Sequence, residues 1–243
     1  MRVSEVSNEG IERVLVVTAH PDDVDFGAGG TLAGWIESGI HVSYCICTNG
    51  DQGGNDDEVP RSEIPGIRQR EQRAAGKVLG VEEITFLNYV DGWLQPTIEL
   101  RKSIVRAIRI ARPDRMIIQS PERNWDRIGA SHPDHMAAGE AAIQAIYPDA
   151  RNPFAFPELL EEEGLQPWTV REAWVMGSPI TNHFVDTTEF FERKIEALKA
   201  HHSQTAHMED MPGMVRMWGE RIAQANGLPE GRTAEAFKIA ITA

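Results

Sequence analysis

The chain is poor in cysteine, in basic residues and in long apolar runs, and each shortage excludes a class of protein. Among 243 residues, 24 lysines and arginines stand against 37 aspartates and glutamates, a formal net charge of -13. Nucleic acid and anionic membrane surfaces select for basic faces, so neither is expected as the main partner. No apolar run approaches the length that crosses a bilayer, so no membrane partner is expected.

The two cysteines, Cys45 and Cys47, alternate with Ile46 in one apolar run. This spacing predicts that both thiols lie on the same side of a strand and are buried, without a disulfide or a metal role. No charged-then-apolar leader opens the chain. We therefore expect a cytoplasmic protein.

Acids and histidines are concentrated in two short clusters, AHPDD at 19–23 and SHPDH at 131–135. A catalytic zinc site needs three protein ligands, an open position, and an acid or base that is not a ligand. The two clusters together supply these groups. The first cluster follows the apolar run Val14–Val17, a predicted buried strand, so His20, Asp22 and Asp23 are expected in the loop at its carboxyl end.

Strand and helix signals alternate along the rest of the chain. This order predicts an α/β fold, a Rossmann-like, mostly parallel sheet with helices on both faces, formed as one domain over 1–243. The expected strands are 14–17, 42–47, 84–87, 116–119 and 173–176, with a final edge strand at 237–241; the expected helices open near 27–30 and cover 67–79, 98–111, the segment after 131, and 188–201.

Two loops and a histidine group complete the pattern. Residues 51–65 are rich in Gly, Asp and Pro and predict a flap over the site. Residues 148–167 hold four prolines and predict an extended or loop insertion. His201, His202 and His207 follow a charged helix, which favours an exposed helix end.

With HPDD and HPDH in this order, each after a predicted strand, the chain resembles the PIG-L/LmbE-like zinc-dependent de-N-acetylases. Further shared segments are TNGD at 48–51, Arg68–Glu71, Asp91-Gly92 and AEAF at 234–237. Many members carry Glu directly after HPDD; here Val24 stands there and the acid falls at Asp25.

The resemblance implies that His20, Asp23 and His135 bind one Zn²⁺, and that Asp22 is the general base. A His-His-Asp set also accepts iron, cobalt or nickel, so other divalent transition metals remain alternatives. For Asp22 and Asp23 the alternative is a helix N-cap pair favoured by the helix dipole.

In the second cluster, the resemblance implies that His132 stabilises the oxyanion or protonates the leaving amine, and that Asp134 orients His132 and raises its pKa. The alternative for Asp134 is structural, because Ser131 followed three residues later by an acid is the capping-box pattern. Arg68 and Asp91 are implied to contact hydroxyls of a sugar-like substrate. Their alternatives are a solvated helix face and a turn.

The expected activity is metal-dependent removal of an acetyl or other acyl group from an N-acetylglucosamine-like substrate or a related small amide. Two alternatives remain, a thiol-conjugate amidase of the same family and a metal-retaining binding module without catalysis. Family members often form closed oligomers, and Phe154, Phe156 and Trp168 lie in or beside the 148–167 insertion. We expect a homo-oligomer with this insertion near an interface or at the pocket rim; the alternative is that these rings fill the core.

Overall fold

The computed structural model describes residues 7–54 and 58–243, in which seven strands form one sheet. The strands are β1 Arg13–Thr18, β2 His41–Thr48, β3 Ile84–Tyr89, β4 Arg115–Gln119, β5 Glu172–Met176, β6 His183–Asp186 and β7 Ala234–Ile241. Their order across the sheet is β3-β2-β1-β4-β5-β7-β6. The first five strands are parallel, and β7 pairs antiparallel with both β5 and β6. The predicted fold class is confirmed.

Helices cover both faces of the sheet. They are α1 Asp23–Glu37, α2 Ile64–Leu79, α3 Ile98–Ala111, α4 Pro133–Gln144, α5 Pro157–Glu161, α6 Phe191–Lys199, α7 His202–Thr205 and α8 Met211–Ala225. One apolar core joins α3 and α4 to the sheet, and the other joins α1 and α2 to its opposite face. Cys45 and Cys47 are free thiols buried in the first core, while Tyr44 and Ile46 belong to the second. The predicted alternation along β2 is confirmed.

The topology brings the two clusters together. From β1 the chain moves outward to β2 and β3, then returns to the other side of β1 to form β4, which pairs with β1 in parallel. Ligands of open α/β sheets bind at such a switch point, outside the carboxyl ends of the strands. The first cluster follows β1, and the second lies at the start of α4, the helix that comes after β4 along the chain. They therefore meet at the same end of the sheet.

The last strand does not lie at the sheet edge. β7 is hydrogen-bonded on both sides, and the edge is β6, a strand of four residues that the sequence pattern did not predict. The prediction of a strand at 237–241 is confirmed, but its placement at the sheet edge is wrong, because β6 pairs with the 234–237 part of β7. β6 was missed because a short strand of moderate burial gives a weak periodic signal, although it pairs with residues 234–237 of β7.

The 148–167 segment is less extended than predicted, because it contains the short helix α5. Leu159 is buried in the core beneath α3 and α4, and Phe156 packs against that core. Just after the segment, the indole nitrogen of Trp168 donates to the carbonyl oxygen of Pro113, two residues before β4. The segment therefore lies near the amino ends of the strands, and the expectation that it forms the pocket rim is wrong. Phe154 is exposed.

Within the described residues, no helix is both long and apolar enough to cross a membrane. In the predicted flap, residues 55–57 lie outside the described residues, and α2 begins at Ile64, earlier than predicted. The flap stays a prediction.

Candidate metal-dependent active site

The first cluster lies at the junction of β1 and α1. His20 follows the strand, and Asp23 is the first residue of α1, so Asp23 is not in the loop and the helix begins four residues before Gly27. Asp22 occupies the N-cap position with a φ of 91°, yet its side chain makes no capping hydrogen bond. A positive φ costs a residue other than glycine about 1–3 kcal/mol. The cluster is thus held in a strained conformation, and the N-cap alternative does not account for the Asp22 carboxylate.

Three side chains converge at the carboxyl end of β1. His20 Nδ1 lies 3.2 Å from His135 Nε2 and 3.4 Å from Asp23 Oδ2, and His135 Nε2 lies 3.0 Å from Asp23 Oδ1. Ligand atoms around a tetrahedral zinc ion are separated by about 3.3 Å, since Zn–N and Zn–O bonds are about 2.0–2.1 Å long. The three donors therefore have the spacing that one small divalent cation requires.

Two other sets of side chains also have ligand atoms close enough together to hold one metal ion. One set is His20, His132 and His135, and the other is His20, Asp91 and Asp134. Asp91 and Asp134 contact His20 through Nε2, at 2.9 and 3.3 Å, on the opposite side of the ring from Asp23 and His135. Carboxylates that contact the other ring nitrogen of a metal-binding imidazole fix the orientation of that ring. The set of His20, Asp23 and His135 fits the metal better.

The charge of this region also favours a cation. Burial lowers the pKa of His20, but the carboxylates of Asp23, Asp134 and Asp91 outweigh burial and raise it to about 12. The pKa of Asp23 is held well below its usual range, because its contacts with His135 and His20 outweigh burial. Positive charge between these groups is strongly stabilised, which is what a divalent metal ion supplies.

The Asp22 carboxylate lies beside this donor group in the same pocket and has a different partner. Its Oδ2 accepts a hydrogen bond of 3.0 Å from Arg68 Nη2, and Arg68 also donates to the carbonyl oxygens of Pro21 and Gly50. Arg68 is 3% exposed, so the solvated-face alternative is wrong. Burial raises the pKa of Asp22 to about 6, although the Arg68 guanidinium opposes the rise. The two neighbouring carboxylates of the first cluster thus have different partners.

The second cluster places His132 and His135 on either side of the start of α4. His132, not Ser131, is the N-cap residue, and its Nδ1 accepts a hydrogen bond from the backbone N–H of Asp134 at 3.2 Å. The Ser131 hydroxyl instead accepts from the backbone N–H of Asn124. The predicted capping box is therefore wrong, because the proline at 133 begins the helix one residue after His132.

The expected pairing of the Asp134 and His132 side chains is also wrong. The Asp134 carboxylate accepts hydrogen bonds from the backbone N–H groups of Gly92 and Leu94, at 2.7 and 3.2 Å, and contacts His20. Burial and the imidazoles of His20 and His135 lower the pKa of His132, against the weaker effect of Asp134. His132 is oriented by the Asp134 backbone, and Asp134 supports His20.

Asp91 is likewise engaged by its surroundings. Its Oδ1 contacts His20 Nε2 at 2.9 Å and its Oδ2 accepts from the backbone N–H of Gln52 at 3.2 Å. These contacts lower the pKa of Asp91 against the effect of burial. Asp91 is therefore more than a turn residue.

Sequence reasoning missed a buried polar group behind Asp22. Gln72, on α2, accepts a hydrogen bond from the backbone N–H of Asp22 and donates one to Asp25 Oδ2. The same Asp25 oxygen lies 2.8 Å from His201 Nε2. The expectation of an exposed helix end is wrong for His201, which is fully buried, and is confirmed for His202 and His207, which are exposed. One signal was available for Gln72, because it follows Arg68 by four residues and shares its helix face.

A polar pocket of about 350 Å³ opens over these groups. Its lining includes His20, Asp22, Gln52, Arg68, Asp91 and His132. A larger cleft of about 600 Å³ borders Asp23 and His135 and is also lined by Arg127 and Trp218. There is space for a ligand on both sides of the donor group.

The chain is similar to known deacetylases along most of its length. The family model of PIG-L, GlcNAc-PI de-N-acetylase, matches residues 15–146. The chain is 33% identical over 203 residues to diacetylchitobiose deacetylase of Thermococcus kodakarensis, covering 84% of this chain and 73% of that protein. It is 32% identical over 212 residues to a probable N-acetyl-alpha-D-glucosaminyl L-malate deacetylase 2 of Bacillus cereus, covering 84% and 89%.

The fold is shared as well. The solved structure of N,N'-diacetylchitobiose deacetylase from Pyrococcus horikoshii, in complex with an inhibitor, superposes with a TM-score of 0.88 at 28% identity. The match covers 98% of this chain and 88% of that one. The resemblance drawn from the two clusters is confirmed, and the chain belongs to the PIG-L family of de-N-acetylases.

Proposed function

We propose that this protein is a zinc-dependent N-deacetylase that acts on the N-acetylglucosamine unit of a small sugar conjugate. The observation that carries the proposal is that the neighbouring carboxylates of Asp22 and Asp23 have different partners. Asp23 contacts His20 and His135, whereas Asp22 borders the polar pocket beside Arg68. A metal-dependent amide hydrolysis needs one carboxylate for each of these tasks. The relatives named as deacetylases of acetylated glucosamine compounds support the substrate class.

His20, Asp23 and His135 are the proposed ligands. A bound divalent ion supplies Lewis-acid polarisation of the amide carbonyl and a nucleophilic water at neutral pH. Zinc suits two imidazoles and one carboxylate, and iron, cobalt and nickel suit the same set. Asp91 and Asp134 hold the His20 ring in place through its Nε2.

Asp22 is the proposed general base. A base is most effective when its pKa is near the working pH, and burial raises the pKa of Asp22 to about 6. The carboxylate borders the pocket, and Arg68 fixes one of its oxygens. The attacking water transfers its proton to Asp22, which can then pass it to the leaving amine.

His132 is the proposed oxyanion donor. Because its Nδ1 accepts the N–H of Asp134, the proton of the neutral ring belongs on Nε2. Its lowered pKa keeps the ring neutral at neutral pH. This arrangement favours hydrogen bonding to the oxyanion over protonation of the leaving amine, the other role implied by the resemblance.

Arg68 and Asp91 line the pocket, and we propose that they also meet the sugar hydroxyls. Both already bind catalytic groups, Arg68 the Asp22 carboxylate and Asp91 the His20 ring. Sugar binding through these two residues would therefore be coupled to the positions of the base and of one metal ligand.

Metal analysis combined with amine release tests the function. We expect about one zinc per chain, release of acetate with formation of a free amine from N-acetylglucosamine or N,N'-diacetylchitobiose, loss of turnover with a chelator and recovery with zinc. Turnover of an N-acyl cysteinyl conjugate in preference to these sugars would favour the thiol-conjugate amidase. Bound metal with no amine release from any substrate would favour a non-catalytic binding module.

We also propose a cytoplasmic homo-oligomer. Two buried free thiols and the exposed Phe154 ring support this proposal. Light scattering at micromolar concentration tests assembly, and a monomer mass would contradict it.

A further inference from the structure

The backbone of Asp22 is held by hydrogen bonds from two directions. With φ 91° and ψ -30°, Asp22 has a conformation that L-residues rarely adopt. Its carbonyl oxygen accepts from the backbone N–H groups of Asp25 and Phe26, at 2.9 and 3.0 Å, within the first turn of α1. Its own N–H donates to Gln72 Oε1 at 2.8 Å, from a different helix. Gln72 therefore provides the acceptor for the Asp22 N–H, which has no acceptor within α1 because it lies at the start of that helix.

The Gln72 amide is itself fixed in one orientation. Its Nε2 donates to Asp25 Oδ2 at 2.8 Å, and the same oxygen contacts His201 Nε2 at 2.8 Å. A flipped amide would direct its NH₂ group at the N–H of Asp22 and its oxygen at a carboxylate. Gln72, Asp25 and His201 are all fully buried, so water does not replace a lost contact easily.

Helix α2 binds both the side chain and the backbone of Asp22. Arg68 and Gln72 are four residues apart and share one face of α2. Arg68 binds the Asp22 carboxylate at 3.0 Å, and Gln72 binds the Asp22 backbone at 2.8 Å. The proposed chemistry uses the carboxylate but assigns no task to Gln72, Asp25 or His201.

We propose that Gln72, oriented by Asp25 and His201, is a positioning residue that holds Asp22 in its strained conformation so that the carboxylate faces the reacting water. This inference rests on the proposed role of Asp22 as the general base. It explains why Asp25, which follows the first cluster by two residues, is buried together with a histidine from the distant segment after α6.

The variant Gln72→Met tests the inference, because methionine fills the space of glutamine without either hydrogen bond. We expect kcat to fall by about 10- to 100-fold, as misplacement of a catalytic group by an ångström does, with KM changed by less than about twofold. Zinc content should stay at one per chain, because Asp23 has its own contacts with the His20 backbone and with His135.

Asn182 offers a matched control. Its amide also bridges two backbone groups, the N–H and the C=O of Ile239 at 2.7 and 3.1 Å, beside β7 rather than in the site. Asn182→Leu should lower the melting temperature and leave kcat unchanged. An equal loss of kcat in both variants would overturn the inference, and so would loss of zinc from Gln72→Met.

A double-mutant cycle separates positioning from general support. In an Asp22→Asn background, Gln72→Met should change the residual kcat by less than about twofold, because the carboxylate that Gln72 positions has already been removed. Losses that multiply would overturn the inference. If Asp22→Asn alone retains full turnover, the proposed base is wrong; if it loses turnover and Gln72→Met does not, only the positioning role fails.

A reciprocal exchange covers the case in which Gln72→Met does not fold. Gln72→Glu keeps the acceptor for the Asp22 N–H but sets a carboxylate against Asp25. Adding Asp25→Asn restores a donor and acceptor pair, with His201 able to accept from the new amide. We expect the double variant to exceed Gln72→Glu in kcat by about tenfold or more, and absence of recovery would overturn the inference.

Discussion

The two ends of the parallel sheet both bury charged side chains, but they balance charge differently. At the amino end, Arg115 of β4 is fully buried and lies 3.0 Å from Glu172 of β5. Its guanidinium lies 4.5 and 4.3 Å from the ring centroids of Trp35 and Trp174, which pack against each other edge to face. One cation meets one anion, and aromatic faces cover the pair.

At the carboxyl end the charges do not cancel. Asp22, Asp23, Asp91 and Asp134 surround the His20 region, and Arg68 supplies one positive charge. Buried charge that is paired and covered contributes to the fold, whereas an excess of one sign around an open pocket stabilises a bound ion of the other sign. Changes at the carboxyl end should therefore affect metal binding and rate, and changes at the amino end should affect stability.

The largest effect is expected from the acids of the first cluster. Asp22→Asn should keep its metal and lower kcat by about two to four orders of magnitude, as loss of a general base does. Asp23→Ala should release the metal, because it removes one of three ligands. Metal content by mass spectrometry, measured beside kcat, checks both variants. Equal metal loss in the two would mean that the carboxylates have been assigned the wrong way round.

Next in size is the ion pair at the amino end. Arg115→Met should lower the free energy of unfolding by about 3–5 kcal/mol, because Glu172 would be left buried without its partner. Urea denaturation measures this loss, and kcat of the folded fraction should not change. Adding Glu172→Gln should recover part of the stability. A fall in kcat without loss of stability would show that the two ends are not separate in function.

A smaller effect should distinguish the two roles of His132. His132→Ala should lower kcat by about 10²- to 10³-fold, the range for removal of an oxyanion donor. His132→Gln should retain more activity than His132→Ala, because an amide can donate a hydrogen bond but cannot transfer a proton. Steady-state kinetics of the pair checks this. Equal losses would favour protonation of the leaving amine by His132.

The smallest effect concerns the buried pair behind the site. Burial lowers the pKa of His201, but Asp25 outweighs burial and raises it. A raised folded-state pKa contributes stability that is complete below the unfolded value of about 6.5 and is lost as pH rises through the folded value. His201→Gln should therefore cost about 1.5–3 kcal/mol at pH 6 and less at pH 9. A loss that grows with pH in urea denaturation would contradict this.

Local patterns were enough for much of the fold and for the members of the site. The apolar run before His20 predicted β1, and α3 at 98–111 was predicted with the observed bounds. The edge strand failed because β6 is short and half-buried, so its position depends on its pairing with β7. The capping box failed because Pro133 shifted the N-cap to His132.

By itself the sequence determined the chemistry of this protein: two acid and histidine clusters, each after a strand, with the donor types that a divalent metal requires. Those features are local, since residue type and position after a strand are read along the chain. Tertiary structure alone decided the partners. The antiparallel return of β7, the pairing of Asp134 with His20, and the contact of Asp25 with His201 across 176 residues all depend on packing. Neither periodicity nor spacing encodes which buried groups meet across such separations, because many arrangements of the helices satisfy the same local pattern.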